Sequence, residues 1–319
     1  MIKVALIGCG RIAERHANLL NSEIKNAKLV SVCDKEKLKA KQFGLEYKVP
    51  YYTDLEKMVT NETIDLAVVL TPSGLHAEHT IKLSGLVKNI LVEKPMSLKV
   101  EDADKMITEC KKNNCELFIV KQNRYNLPVQ KLRSAINKNL FGKLILGTVR
   151  VRWARHQEYY DQDDWRGTWK FDGGVLTNQA SHHIDMLIWM MGDVDSVFAK
   201  SSTALVNIET EDTAIVSIKF KNGALGLIEA TTATRPDNLE GSISILGEKG
   251  TVVIGGFAVN KIEVWKFADN SEEDLSVIEQ YSENPPDVYG FGHRSFYEAV
   301  LESIINNKAN PVDGIEGRK

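Results

Sequence analysis

The sequence predicts an α/β fold in two parts: a doubly wound parallel sheet, followed by an α+β domain built on a large open mixed or antiparallel sheet. Over the first ~120 residues short apolar runs alternate with amphipathic stretches, which is typical of β-α units in a parallel sheet. From about Phe141 onward, strand-like runs with period-two character follow one another instead. The length of 319 residues also suits two domains of roughly 150 residues.

The predicted boundary gives a first domain of residues 1–122 and a second of residues 123–319. In the first, the runs IKVALI, KLVSVC, IDLAVVL, NILVE and ELFIVK predict strands, and the apolar continuity of residues 66–70 indicates cover on both faces. Helices are predicted over RIAERHANLL, KEKLKAKQFG, GLHAEHTIKLSG and VEDADKMITECKKN.

The second domain should contain strands KLILGTVRVRWA, VDSVFAKSSTAL, DTAIVSIKF, GALGLIEATTA, GSISILG and GTVVIGG. Asn222-Gly223 predicts a two-residue hairpin, and GEKG at 247–250 predicts a second turn between strands. One helix is predicted over ASHHIDMLIWMMG. Another, at about 290–307, is expected to pack back on the first domain.

Composition excludes several classes of protein. Charged residues make up 26% and hydrophobic residues 43%, with a net charge of -3, so neither a disordered nor a fibrous chain is indicated. The sequence contains no Lys/Arg cluster of the kind that would indicate nucleic-acid binding. It also contains no apolar run that approaches the ~18 residues of a membrane span. The N-terminus leaves no room for a signal peptide, so we expect a soluble cytoplasmic protein. The four cysteines lack C-x-x-C spacing, so we expect neither a metal site nor disulfides.

A glycine-rich turn follows the first predicted strand. Gly8, Gly10 and Ala13 form a G-x-G-x-x-A pattern at a strand-to-helix junction, where backbone N–H groups and the helix dipole can hold a pyrophosphate. The predicted cofactor contacts in this turn are Gly8, Cys9, Gly10, Arg11 and Ile12. The same pattern also occurs in tight turns without a ligand, so neighbouring residues have to decide.

Asp34 stands at the end of the second strand-like run, where a carboxylate can accept hydrogen bonds from both adenosine ribose hydroxyls and repel a 2′-phosphate. This favours NAD over NADP, although the adjacent Lys35, also a predicted cofactor contact, weakens the preference. The alternative is that Asp34 is the N-cap residue of the next helix.

Further contacts are expected at the carboxyl edge of the sheet, where ligands bind in open α/β proteins. Thr71, Pro72, Ser73 and His76 follow the strand IDLAVVL. His76 and His79 are three residues apart on a helix but lack an obvious third ligand, so a cofactor contact from His76 is favoured over a metal site.

Glu93, Lys94 and Gln122 are further predicted cofactor contacts. Glu93 and Lys94, with Pro95, follow the strand NILVE near the expected position of the nicotinamide, and Gln122 follows the strand ELFIVK. Hydride removal from a carbinol carbon requires loss of the hydroxyl proton. Desolvation and a nearby cationic nicotinamide would favour the neutral form of Lys94, making it a plausible base. The alternative is a surface lysine that pairs with Glu93.

Four segments, IGCGRIAERH, TPSGLH, VEKPM and GGVLTNQASHHIDML, resemble in order and spacing the Gfo/Idh/MocA oxidoreductases. The resemblance covers essentially the whole chain. It implies an N-terminal Rossmann domain, a C-terminal open-sheet domain and NAD(P)-dependent chemistry on sugars and cyclitols. Lys94 matches the catalytic lysine of the family, and Trp165 and Arg166 match a W-R pair that reaches the cofactor.

The family motif D-x-G-x-H-x-x-D corresponds here to Asn178, Ala180, His182 and Asp185. The first aspartate is replaced by Asn178, which leaves Lys94 and His182 as the titratable pair beside the reacting carbon. We therefore predict Lys94 and His182 as the catalytic residues, without deciding which of them is the base. Without the family context, one of His182 and His183 would be expected in the core and the other exposed.

A narrower resemblance, carried by FIVKQNRYNLPVQ, RVRWARHQEYY and GGVLTNQASHHID, is to the WlbA/WbpB subgroup. It implies NAD-dependent oxidation of UDP-N-acetyl-D-glucosaminuronic acid at C3, in the biosynthesis of lipopolysaccharide O-antigen sugars. The predicted substrate contacts are Lys94, Asn126, Arg155, Gln157, Tyr160, Asn178 and His182. The aromatic and charged side chains of RVRWARHQEYY are also consistent with a solvent face or with an interface in a homo-oligomer, a tetramer or dimer formed through the C-terminal sheet.

Two other functions remain open from the sequence. One is dehydrogenation of a free sugar or inositol, for which the usual aspartate at position 178 would be expected. The other is a non-catalytic NAD-sensing regulator on the same scaffold, against which the presence of Lys94 and His182 counts.

Overall fold

A computed structural model of the chain describes residues 1–256, 258–269, 272–282 and 290–319. The chain divides into two compact units. The first consists of Met1–Lys121 and Arg294–Lys319, and the second of Gln122–His293. The predicted fold class, a doubly wound parallel sheet followed by a domain with a large mixed sheet, is confirmed.

The first unit contains a six-stranded parallel sheet in the order β3-β2-β1-β4-β5-β6. Its strands are β1 (Ile2–Ile7), β2 (Ala27–Cys33), β3 (Tyr51–Tyr52), β4 (Leu66–Val69), β5 (Asn89–Val92) and β6 (Glu116–Ile119). The helices between them are α1 (Arg11–Asn18), α2 (Lys37–Tyr47), α3 (Leu55–Asn61), α4 (His76–Ser84) and α5 (Val100–Lys112). The strand order reverses between β1 and β4, so the turns after these two strands diverge and leave a crevice at their carboxyl ends.

Complete burial explains why the central strands are continuously apolar. All four residues of β4 are fully buried, as are residues 4–6 of β1. The two-residue strand β3 was not predicted, because two tyrosines at the sheet edge carry no periodic signal. IDLAVVL is therefore the fourth strand rather than the third.

The second unit contains a seven-stranded sheet in the order β13-β12-β11-β7-β10-β9-β8. Its strands are β7 (Leu144–Arg152), β8 (Val194–Ser202), β9 (Thr213–Phe220), β10 (Leu225–Thr231), β11 (Glu240–Gly247), β12 (Gly250–Gly255) and β13 (Lys261–Phe267). Its helices are α6 (Leu127–Asn137), α7 (Gln157–Tyr160), α8 (Ser181–Met191) and α9 (Glu272–Gln280). The sheet is mixed because β10 runs parallel to β7, while the other neighbours are antiparallel.

One face of this sheet lies against helices, and the other is open. In β7, Val149 and Val151 are fully buried, whereas the alternate residues Arg150 and Arg152 point to the other face. Gly147 allows α8 to approach the strand, since a Cβ atom there would lie 2.7 Å from Leu187 Cδ1. The sequence KIEVWKF, which forms β13, was missed at the sequence level.

Both predicted turns join antiparallel strands, but the first is not a two-residue turn: Phe220 N–H donates to Ala224 O over 2.9 Å, so the loop is residues 221–223, with Gly223 at a φ of +86°. At the Asn222-Gly223 hairpin, Gly223 N–H donates to Phe220 O over 2.9 Å and β9 pairs with β10 in antiparallel fashion. β11 and β12 likewise pair in antiparallel fashion around residues 247–250. No helix in the described part of the chain is long and apolar enough to cross a membrane.

The last segment, with α10 (Gly292–Asn306) and α11 (Gly314–Arg318), belongs to the first unit from Arg294 onward. Backbone hydrogen bonding is the physical reason: Ile119 N–H in β6 donates to Val312 O over 3.0 Å. Asp313 pairs with Phe118 in an isolated bridge and caps α11 by accepting the Glu316 N–H. A division by sequence order alone cannot capture such a return of the chain.

The core of the second unit contains a histidine. His183 is fully buried, packs edge-to-face on Trp153 with ring centroids 5.8 Å apart, and has no hydrogen-bond partner for either ring nitrogen among the described residues. Burial lowers the pKa of His183 to about 3, because the protonated ring would lose its hydration without gaining a partner.

We expect a substitution of His183 by Phe to reduce the pH dependence of folding stability. The unfolded chain binds a proton at this histidine below pH ~6.5 and the folded chain does not, so stability falls on acidification by up to about 1.4 kcal/mol per pH unit. Between pH 7 and pH 5, denaturant unfolding should show about 2 kcal/mol less loss of stability in His183→Phe than in the parent. A His156→Phe control, at an exposed position, should follow the parent, and an unchanged slope in His183→Phe would contradict the expectation.

Candidate active site

Backbone geometry requires glycine at the turn after β1. Gly8 has a φ of +102°, and a Cβ atom there would lie 2.8 Å from the carbonyl carbon and oxygen of Leu70. Gly10 is the N-cap residue of α1, and no atom lies within 4 Å of the position of its Cβ. The backbone there faces open space, and Arg11 and Ile12 form the first turn of the helix. This geometry suits a phosphate group at a helix N-terminus.

Asp34 joins the end of β2 to the glycine-rich turn. Its Oδ2 accepts the Cys9 N–H over 2.8 Å, and its Oδ1 accepts the Glu36 N–H over 2.8 Å. Glu36, rather than Asp34, is the N-cap residue of α2, contrary to the alternative interpretation. Lys35 is exposed. The carboxylate thus lies where a ribose would meet a pyrophosphate on the turn.

All four cysteines are buried thiols. Burial, followed by the charge of Asp34, raises the pKa of the Cys9 thiol to about 12. Cys9 therefore takes part in the turn through its backbone rather than as a nucleophile.

His76 ties together two loops at the carboxyl edge. Its Nε2 lies 2.8 Å from Thr71 O and its Nδ1 lies 2.8 Å from Pro95 O, with the ring buried. Burial lowers the pKa of His76 despite these two carbonyls, and a neutral ring, which has a single N–H, donates to only one of them. Pro72 and Ser73 lie in the same loop, and Ser73 is buried. The contacts that the structure assigns to His76 are with the backbone of the chain.

The turn after β5 contains a buried carboxylate next to the predicted catalytic lysine. Glu93 is 6% exposed, and its Oε2 accepts the backbone N–H of Lys94 over 2.9 Å. Lys94 is half-buried and joined to Pro95 by a cis peptide bond. The backbone of Lys94 is therefore anchored to the side chain of Glu93.

In the second unit, the structure brings Gln122 and His182 together. Both are buried, and Gln122 Nε2 lies 3.1 Å from His182 Nε2. An amide nitrogen can only donate, so the imidazole Nε2 accepts and a neutral ring carries its proton on Nδ1. The expectation of one exposed histidine is wrong, since His182 is 8% exposed and His183 is fully buried.

Two carbonyl oxygens near this pair have no partner in the described chain. Gln122 Oε1 and Asn126 Oδ1 are buried and accept no hydrogen bond, whereas Asn126 Nδ2 donates to Ala258 O over 3.2 Å. Buried acceptors usually find a donor, so these oxygens are suited to hydroxyl or amide groups of a ligand.

A buried ion pair fixes the helix that carries His182. Arg124 donates from Nε and Nη2 to the two oxygens of Asp185, each over 2.7 Å, and both side chains are 7% exposed. The Arg124 guanidinium also lies 4.9 Å from the centre of the Trp189 ring. Asp185 follows His182 by nearly one helical turn, so this pair holds the face of α8 on which His182 lies.

Asn178 is held by a residue that the sequence reasoning missed. Its Nδ2 donates to Asp172, which is 1% exposed and also accepts the Gly167 N–H over 2.7 Å. The only sequence signal was an acidic residue directly before Gly173-Gly174. Asp172 fixes the orientation of the Asn178 amide, because one of the two N–H bonds of Nδ2 is directed at its carboxylate.

The aromatic and basic residues of the remaining predicted site pack on one another. The Arg166 guanidinium lies 4.6 Å from the Tyr159 ring centre and 4.7 Å from that of Trp165. Arg155 lies 5.3 Å from the ring centres of both Trp153 and Tyr159. The structure thus joins the predicted cofactor pair to the segment of the predicted substrate contacts.

Gln157 and Tyr160 have structural partners of their own. Gln157 Oε1 accepts the Asn207 N–H over 2.8 Å, and its Nε2 donates to Asp161 over 2.9 Å. Tyr160 is 6% exposed, and its hydroxyl lies 3.1 Å from Thr232 Oγ1. Burial raises the pKa of Tyr160, so the hydroxyl stays protonated.

The first unit therefore has the features of a dinucleotide-binding domain: an open backbone at Gly10, a close approach at Gly8 and an acid after β2. The second unit adds a buried histidine with partly satisfied polar neighbours. Together they define a nicotinamide-dependent oxidoreductase.

Comparison with known families agrees. Residues 2–121 match the model of the oxidoreductase family with an NAD-binding Rossmann fold, and residues 133–319 match the model of its C-terminal alpha/beta domain. The chain belongs to the Gfo/Idh/MocA oxidoreductase family. It is an NAD-dependent oxidoreductase, which confirms the predicted family, enzyme class and cofactor.

Among solved structures, the chain is similar to the WlbA dehydrogenase from Chromobacterium violaceum, in complex with NADH and UDP-GlcNAcA. The two are 42% identical with a TM-score of 0.93, covering 100% of this chain and 90% of that one. The WlbA dehydrogenase from Bordetella pertussis, in complex with the same two ligands, is 38% identical with a TM-score of 0.92, covering 99% and 92%. A myo-inositol 2-dehydrogenase of Thermotoga maritima is 28% identical over 99% of this chain and 91% of its own length.

We expect the two glycines of the turn to respond differently to alanine. At Gly10 the protein leaves room for a methyl group, so Gly10→Ala should keep the parent Tm but weaken NADH binding about tenfold or more, because the methyl group meets the pyrophosphate. Gly8→Ala should instead lower the stability by more than about 1 kcal/mol, through its positive φ and the clash with Leu70.

Thermal unfolding and NADH fluorescence titration measure the two effects separately. Unchanged NADH affinity in a folded Gly10→Ala protein would contradict the placement of the pyrophosphate.

Proposed function

We propose that this protein oxidises the C3 hydroxyl of UDP-N-acetyl-D-glucosaminuronic acid with NAD, giving the 3-keto sugar, in the biosynthesis of cell-surface polysaccharide sugars. The observation that carries the proposal is the full-length similarity to two WlbA dehydrogenases whose structures contain NADH and UDP-GlcNAcA. At 42% identity over the whole chain, the same nucleotide sugar is the first candidate substrate.

The polar groups of the second unit support a hydroxyl-rich substrate. The buried oxygens of Gln122 and Asn126 accept no hydrogen bond within the described chain, and sugar hydroxyls or an N-acetyl N–H group could supply the donors. Arg155, Gln157, Tyr160 and Asn178 remain proposed substrate contacts. A substrate with a carboxylate and a diphosphate also needs cationic groups, for which Arg155 is a candidate.

In the proposed reaction, NAD supplies the hydride acceptor for the hydrogen on C3. We assign removal of the hydroxyl proton to Lys94, because Asn178 cannot titrate and His182 already accepts a hydrogen bond at Nε2. His182 would then hydrogen-bond the reacting oxygen and orient it. The products are the ketone, NADH and one proton held by Lys94 until it passes to solvent. Thr71, Pro72, Ser73, His76, Trp165 and Arg166 remain proposed contacts to the cofactor.

The substrate can be tested by single turnover with enzyme in excess, so that reoxidation of NADH is not required. With UDP-N-acetyl-D-glucosaminuronic acid as the limiting reactant we expect close to one NADH per substrate molecule, together with the 3-keto product. UDP-N-acetylglucosamine, which lacks the carboxylate, should give much less. Complete NADH formation with myo-inositol would instead favour dehydrogenation of a free sugar or inositol. That second candidate function is suggested by the myo-inositol 2-dehydrogenase relative.

We expect Lys94→Met to lower kcat by about 10²- to 10⁴-fold, the usual contribution of a general base, while the Kd for NADH stays within a few-fold. His182→Asn should lower kcat to a smaller extent. Lys121→Met, at the end of the first unit, provides a control for the loss of a lysine. A Lys94→Met enzyme with the parent kcat would refute the proposed base, and full biological function of that variant would favour the regulator.

We also propose that the open sheet face of the second unit forms an interface between copies of the chain. Phe198 is 64% exposed, Ile215 55% and Leu225 56%, on the adjacent strands β8, β9 and β10. Such a group of large apolar side chains suits a protein interface.

Charged replacements at two of these positions, Phe198→Lys and Ile215→Lys, should shift the protein to monomers in light scattering coupled to size exclusion. Leu38→Lys, at an exposed apolar position of the first unit, serves as the control. A parent protein that is already monomeric would rule the interface out.

A further inference from the structure

Two buried polar side chains from distant parts of the chain meet behind the turn that carries Lys94. His16 in α1 and Tyr297 in α10 are each fully buried, and His16 Nδ1 lies 2.6 Å from Tyr297 Oη. The other ring nitrogen, Nε2, lies 3.0 Å from Glu93 Oε1. Glu93 Oε2 accepts the backbone N–H of Lys94 over 2.9 Å. All four residues belong to the first unit.

When the His16 ring is neutral, one arrangement of protons satisfies every contact in this chain. Burial, followed by the charge of Glu93, raises the pKa of Tyr297 well above its ordinary value, so the phenol keeps its proton and donates to His16 Nδ1. A neutral ring then has its proton on Nε2 and donates it to Glu93. Both oxygens of the Glu93 carboxylate are thereby engaged, one by the histidine and one by the lysine backbone.

We propose that Tyr297 and His16 are positioning residues for Lys94, acting through Glu93. The inference rests on the catalytic role proposed above for Lys94. The hydrogen bond from Lys94 N–H to the preceding side chain is local, and a glutamate has several rotamers through which it could be lost. His16 restricts Glu93 to the rotamer that keeps this bond, and Tyr297 keeps His16 in the required tautomer and orientation. Because the rotamer of Glu93 is fixed, the backbone at Lys94 is fixed too, and with it the position from which the Lys94 side chain starts.

The physical reason to expect an effect on rate is the sensitivity of proton transfer to position. A displacement of about 1 Å at a reacting group can lower the rate about 10²-fold. A less rigid turn at Lys94 should lower the rate by a smaller factor. None of these four residues lies in the glycine-rich turn, residues 8–12, on which the dinucleotide is expected to bind. The positioning role therefore predicts a loss in kcat without a matching loss in NADH affinity.

The test uses Tyr297→Phe, which removes only the hydroxyl group. We expect kcat to fall about tenfold, with the KM for the UDP-sugar and the Kd for NADH within about twofold, because positioning affects the chemical step. Amide hydrogen exchange in the peptide covering residues 92–97 should become faster, a readout that does not depend on turnover. Tyr47→Phe is the control: it removes a hydroxyl that donates to Asn18 Oδ1 at the end of the same helix α1, and it should alter neither quantity.

Two substitutions of His16 sharpen the test. His16→Gln keeps an N–H donor that can reach Glu93, whereas His16→Leu removes it. The glutamine variant should retain a clearly higher kcat and slower exchange at 92–97 than the leucine variant. If both variants lose the same amount of kcat, and Tm and NADH affinity fall in parallel, the role of His16 is only structural and the inference is overturned.

The outcomes separate this inference from the proposed function. If Lys94→Met is inactive but Tyr297→Phe has the parent kcat and the parent exchange rate, the positioning role is wrong and the role of Lys94 stands. If Lys94→Met keeps the parent kcat, the proposed base is wrong and the inference falls with it.

Discussion

The close approach of the glycine-rich turn to the end of β4 is the constraint on which the first unit depends. A side chain at Gly8 would meet the backbone of Leu70 at 2.8 Å, so the turn can lie there only with glycine. This contact holds the start of α1 beside the loop after β4. His76 then joins that loop to the turn after β5 through two backbone carbonyls. Three carboxyl-end loops are thus held at one edge, where the sheet order reverses.

Buried polar contacts in each unit act on the residues proposed for chemistry rather than only on the fold. In the first unit, Glu93 is held by His16 and holds the Lys94 backbone. In the second, Gln122 selects the tautomer of His182, and Asp172 orients Asn178. Charged and polar groups that are buried need partners, and here the partners also restrict the possible orientations of the neighbouring side chains.

Much of the fold could be predicted because the signals are local. The continuous apolar runs of the first half and the alternation in the second follow from burial on two faces or one, and the Asn222-Gly223 turn has its own backbone preference. The strand β3 was missed because two edge residues carry no period. β13 was also missed, although Gly255-Gly256 precedes it and its residues largely alternate between exposed and buried. The backbone hydrogen bonds that attach the last segment to β6 could not be predicted, since they join positions far apart along the chain.

The sequence by itself determined the class of protein and its cofactor: G-x-G-x-x-A and Asp34 did so by residue type and spacing, and E-K-P and the histidine motif did so by their resemblance to the family. Only the tertiary structure decided how the site is supported. His16 and Tyr297 are 281 positions apart, and Gln122 and His182 are 60 apart. No periodicity links such residues, because the contact arises only when separate helices and turns pack together. The same holds for His183, whose burial in the core depends on the packing of α8 against Trp153.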